Sequence, residues 1–175
     1  MRGRTGMQFY GVLALAVLLT AVVHETAHWA TGVALGHPMA MSFNEAYAVA
    51  GAAVPARDAM LITAAGPGIT LMQALVAFAL IRWRGLRLAY PFLFAAWFMR
   101  FAAAFVSLFH PNDEARLSID LLGGEWWLPA AAVFGLLALL WSAARRLGLG
   151  WKTNLACYLV CSALTASIVF GDALL

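Results

Sequence analysis

Residues 24–28 read His-Glu-Thr-Ala-His, inside the first long apolar run of the chain. Two histidines four apart on a helix project from one face, about 40° apart, and can share one zinc ion. Glu25 lies beside that face, where a carboxylate could take a proton from a water polarised by the ion. Two imidazoles and a carboxylate are costly within hydrocarbon, so their presence there points to chemistry.

A catalytic zinc site ordinarily takes three protein ligands and keeps one position open. The residues able to supply the third are His37, Glu45, Asp58, His110, Asp113, Glu114 and Asp120, all in loops or at helix ends. His110-Pro111-Asn112-Asp113-Glu114 is the densest cluster. It follows the third apolar run and emerges on the same side as the histidines. The same residues also suit a turn leading into a helix, with Asn112 capping and two acids facing the positive end of the dipole. Asp113 is the leading ligand candidate, with Glu114 and His110 as alternatives.

The elements that must position these groups follow from composition. The chain has 175 residues, 64% hydrophobic and 11% charged, with a mean hydropathy of +0.85. A soluble domain carries roughly 25% charged residues, so this chain reads as one domain, 1–175, whose solvent is lipid. Five stretches reach the ~20 apolar residues needed for a crossing: Met7–Leu35, Asp58–Ile81, Tyr90–Phe109, Trp127–Ala144 and Asn154–Phe170. Met1-Arg2-Gly3-Arg4 before an apolar run resembles the start of a signal peptide. The run continues past His24 without a small-residue cleavage site, and the segment is therefore expected to be retained.

The expected fold is an all-α integral membrane protein of about five transmembrane helices. Between the first two, Met39, Met41 and Phe43 alternate with Ala40 and Ser42, a period of two that suits a short β-strand or hairpin. With the N-terminus inside, Arg2, Arg4, Arg82, Arg84, Arg87, Arg145, Arg146 and Lys152 are cytoplasmic, against Arg57 and Arg116 outside. That asymmetry orients the chain, puts the histidines toward the non-cytoplasmic face, and gives no basic stripe suited to nucleic acid.

Three further features bear on the site. Pro67 between Gly66 and Gly68 would free a carbonyl of the second helix, either to bring that helix to the metal and substrate or as a packing kink. Thr70 and Gln73, one and two turns on, are candidate substrate-binding donors to a transition-state oxyanion, or else interhelical contacts. Arg100 in mid-helix must face the bundle interior or a wet cavity. It is expected to bond carbonyls freed by the kink, with a carboxylate or a substrate as the other partners it could serve. Cys157 and Cys161, at four-residue spacing in the last run, read as packing residues.

Together, His24-Glu25-Thr26-Ala27-His28 in one helix, Ala65-Gly66-Pro67 in the next and Asn112-Asp113 after a third resemble the site-2 protease family of intramembrane zinc metalloproteases. The likeness covers about Val22 to Leu117. It implies zinc held by His24, His28 and Asp113, Glu25 as general base, a membrane-protein substrate presented to an edge strand, and location in the cell membrane of a bacterium. The chain departs from the family in reading Pro-Asn-Asp-Glu where Asn-Pro-Asp-Gly is common, and in carrying Thr70 where an asparagine often follows Gly-Pro. Well-known members also place the site nearer the cytosol. Two other readings stand beside this one: a membrane protein that binds metal or haem without hydrolysis, and a scaffold with a degenerate site. Neither needs Glu25 as a base.

Overall fold

The computed structural model describes residues 6–172; Arg2 and Arg4, used above for orientation, lie outside them. The chain forms α1 (Met7–Ala34), a hairpin of β1 (Met39–Met41) and β2 (Ala46–Ala48), then α2 (Ala56–Arg84). A 3-10 turn leads into α3 (Tyr90–Val106), followed by α4 (Asp113–Leu122), α5 (Trp127–Leu147) and α6 (Trp151–Asp172). Five of these helices are long and apolar enough to cross a membrane, and α4 is not among them. The architecture is that of an all-α membrane protein with a short hairpin between its first two spans.

The ends of the elements follow local chemistry. Gly36, at φ +87°, closes α1, with the His37 amide returning to the Gly32 carbonyl. That left-handed turn sends the chain straight into the hairpin. Gly85 and Gly148 close α2 and α5 in the same conformation. The third run differs from expectation: its helix stops at Val106 rather than Phe109, because Ser107 begins a turn whose hydroxyl accepts from the Asn112 amide at 3.1 Å. Asn112 then caps α4, its Oδ1 accepting from the Asp113 amide at 2.8 Å.

The core lies where α1, α2 and α3 meet, with α5 and α6 against its far side. Leu13, Ala16, Ala74, Ile81, Tyr90, Leu93 and Phe94 are buried there together. Small residues at Ala16, Ala74, Ala77, Ala95 and Ala96 let the helices approach closely, as membrane helices do without a hydrophobic drive between them. Gln73 ties the same three helices, donating from Nε2 to Thr20 Oγ1 at 2.8 Å and to the Phe92 carbonyl at 3.0 Å. Cys157 and Cys161 are buried free thiols of this core.

Candidate metal centre

His24 and His28 sit near the end of α1, both buried. Their Nε2 atoms lie 3.2 Å apart. Asp113, the first residue of α4, places Oδ2 3.2 Å from each of them. One atom from each of three side chains thus forms a nearly equilateral triangle. Ligands about 2.0 Å from a tetrahedral ion lie roughly 3.3 Å apart, so the triangle matches one face of such a site.

The hydrogen bonds behind the rings decide what those three atoms offer. His28 Nδ1 lies 2.6 Å from the Ile62 carbonyl, which can only accept, so the Nδ1 proton is there. Thr70 Oγ1 donates to the Gly66 carbonyl at 3.0 Å and therefore accepts from His24 Nδ1 at 3.1 Å. With both Nδ1 atoms protonated, the neutral rings turn Nε2 lone pairs toward each other and toward a carboxylate oxygen. Three acceptors at this spacing repel unless a cation sits among them, and the residues present therefore fit a metal ion. Two imidazoles with one carboxylate suit a first-row transition metal rather than magnesium or calcium, which take oxygen ligands.

Helix α2 supplies the back wall. A Cβ at Gly66 would overlap both imidazoles, so only glycine allows this turn to lie against the rings. Pro67 has no N–H for the Thr63 carbonyl, and the turn it loosens includes Ile62, the acceptor for His28. The Gly-Pro pair is therefore part of the site as well as a packing feature.

Of the other acids and histidines considered, Glu114 faces elsewhere: Arg100 Nη1 donates to its Oε1 at 2.6 Å, both side chains being buried. Arg100 therefore serves the Glu114 carboxylate rather than carbonyls freed at Pro67, correcting the expectation from sequence. Its Nη2 lies 3.4 Å from His24 Nδ1, but both atoms are donors in this tautomer, and the Nδ1–H donates to Thr70 Oγ1 instead. His110 is exposed in the turn before α4, and Asp120 is exposed on α4. His37 pairs with Asp58 at 2.9 Å, tying the end of α1 to the start of α2 at the base of the hairpin.

Glu25 opens, with His24, His28 and Asp113, onto a cavity of about 490 Å³. The hairpin, α3 and the far end of α6 complete its walls, with Arg100, Arg116 and Thr165 among the polar groups. Thr70 and Gln73, the candidate substrate donors, do not line this cavity. Thr70 stands behind His24, and the Gln73 amide is engaged by Thr20 and Phe92.

The hairpin presents an edge to the same space. The Val49 amide donates to the Pro38 carbonyl and the Ser42 amide to the Glu45 carbonyl, so the pairs Met39–Ala48 and Met41–Ala46 are the non-hydrogen-bonded ones. Their N–H and C=O groups point away from the ladder. On β1 the Met39 carbonyl accepts from Trp29 Nε1 at 3.3 Å. On β2 the outward groups belong to Ala46 and Ala48, both of which line the cavity, and among the described residues no further strand pairs with them.

Sequence reasoning left Thr70 between a substrate donor and an interhelical contact, and expected an edge strand without naming its residues. The structure makes Thr70 the partner of His24 and puts the edge at Ala46–Ala48, while the Ile62 carbonyl was not anticipated. No motif marks a carbonyl acceptor or a strand's outward side, although the four-residue spacing of Gly66 and Thr70 permits the bond between them. Compared with protein-family models, with curated proteins and with solved structures, the chain matches none.

Proposed function

We propose that this chain is an intramembrane zinc metalloendopeptidase, multi-pass in the cell membrane, that cleaves peptide bonds of membrane-embedded or membrane-proximal segments. The observation that carries the reading is the convergence of His24 Nε2, His28 Nε2 and Asp113 Oδ2 on one point, with Glu25 beside them on a cavity. Zinc in that triangle would act as a Lewis acid on a scissile carbonyl and make a water nucleophilic near neutral pH.

The chain's own residues supply the rest. Thr70 and Ile62 hold the two imidazoles in the tautomer that leaves Nε2 free. Glu25, which lines the cavity, would take a proton from the attacking water and pass it to the leaving amine. An extended substrate can pair with the outward groups of Ala46 and Ala48, which supplies affinity tolerant of sequence. Such a substrate must unwind first, because a helix offers no free backbone groups to an edge strand. Haem as the bound group is less well supported. Two histidines can ligate one haem iron only from opposite faces of the macrocycle, whereas these two nitrogens converge from one helix at 3.2 Å.

Glu25→Gln tests the reading, using a membrane-spanning substrate in liposomes. Glutamine keeps the shape but cannot accept a proton at neutral pH, and turnover should fall by about 10²–10⁴ with zinc content unchanged. A zinc-loaded Glu25→Gln protein that cleaves as fast as wild type would refute the mechanism.

A further inference from the structure

Consecutive helices joined by a short loop ordinarily lie side by side. Only residues 148–150 separate α5 from α6. Yet α5 packs on α2, α3 and α4 while α6 packs on α1 and α3, with at most a marginal contact between the two. They diverge from their shared turn, and α3 forms the floor of the wedge between them. A second cavity, of about 350 Å³, occupies this wedge, walled by Phe94 and Trp97 of α3, Leu140 and Trp141 of α5, and Trp151 and Tyr158 of α6. Along α5 it runs from Leu137 to Ala144, about 10 Å at 1.5 Å per residue.

The mouth of this groove is basic. Lys152 Nζ lies 5.8 Å from the Trp151 ring centroid. Arg145 is exposed one turn beyond Trp141, on the same helix face. Arg82, Arg84, Arg87 and Arg146 belong to the same end of the bundle, and Arg146 is engaged by the Ile81 carbonyl at 3.0 Å. No acid offsets this charge, because none occurs between Asp58 and Asp113 or between Glu125 and Asp172. A cavity of about 350 Å³ suits a slender acyl chain better than a helix, which is ~10–12 Å across.

We propose that the wedge between α5 and α6 binds one anionic phospholipid, with an acyl chain in the aromatic groove and the phosphate against Arg145 and Lys152. Clustered basic side chains at a membrane interface select anionic headgroups by this electrostatic attraction, and the walled groove restricts the binding to one place.

Native mass spectrometry of the full chain, titrated with phosphatidylglycerol or phosphatidylcholine of identical acyl chains, tests it. One phosphatidylglycerol per chain should bind at concentrations where phosphatidylcholine does not. Arg145→Gln and Lys152→Gln should each weaken it roughly fivefold, while Arg82→Gln, at the same end but off the groove, should not. Leu137→Trp, which fills the groove and leaves the charges alone, should abolish retention. Circular dichroism checks that each variant keeps its helices. Equal retention of the two lipids, or equal weakening by Arg82→Gln and Lys152→Gln, would reduce the effect to general surface attraction and overturn the site. A lipid-free dimer would overturn it by assigning the face to a second copy.

Discussion

Asp113 and Glu114 are adjacent acids in the first turn of one helix, about 100° apart around its axis, and the two have different partners. Glu114 meets the Arg100 guanidinium, while Asp113 meets the two imidazoles. Removing one member of a buried ion pair typically costs 3–5 kcal/mol, so Glu114 is firmly committed to Arg100. Asp113→Ala should therefore lower bound metal at least tenfold, measured by elemental analysis after dialysis, while Asp120→Ala leaves it unchanged. Full occupancy in the Asp113 variant would return the ligand role to Glu114 or His110. The two glycines that flank Pro67 provide a second test. A Cβ at Gly66 overlaps both imidazoles, whereas one at Gly68 meets nothing within 4 Å. Gly66→Ala should thus cost metal affinity and activity together, and Gly68→Ala should cost neither, with thermal unfolding equal or slightly higher because alanine is the better helix former.

At the scale of elements, the site draws on four pieces of chain that meet only on folding. Helix α1 contributes two imidazoles and Glu25, α2 the back wall, α4 the carboxylate, and the hairpin an edge. The hairpin allows an experiment that separates binding from chemistry. The Ala48 N–H is not part of the ladder, and an edge strand tolerates proline where no ladder bond is lost. Ala48→Pro should keep the hairpin, the metal and the unfolding temperature. It should lower kcat/KM for an extended substrate by up to about tenfold, the worth of one backbone hydrogen bond. Unchanged kinetics would show that substrates do not use this edge.

Across the whole molecule, charge is divided by end. All eight acids belong to the end that carries the candidate metal centre, whereas the charged residues at the opposite end of the described chain are all basic: Arg82, Arg84, Arg87, Arg145, Arg146 and Lys152. Reporter fusions after Arg87 and after Leu175 should report opposite faces, the first cytoplasmic, because an odd number of spans lies between them. An external Arg87 fusion would reverse the orientation and put the metal centre on the cytosolic side.

Much of this was already present in the residue order. Apolar runs interrupted by glycine and charge specify five spans, because lipid admits little else along a backbone whose polar groups must be satisfied internally. The strict four-residue spacing of His24 and His28 specifies a shared face, because the helical period is local. The alternation of Met39, Met41 and Phe43 likewise marked a strand, realised as β1 and its partner. Which acid lies at 3.2 Å from those histidines is a different kind of fact. It depends on the rotation of α4 and on the Arg100–Glu114 pair, and no local spacing encodes either. The tautomers depend on a carbonyl and a hydroxyl that lie 34 and 46 residues away in the chain. The open edge at Ala46–Ala48 and the wedge between α5 and α6 arise from how finished elements pack. Period and hydropathy act between neighbours in sequence and are legible there. Orientation of one element against another is decided by side chains that meet only in the folded bundle.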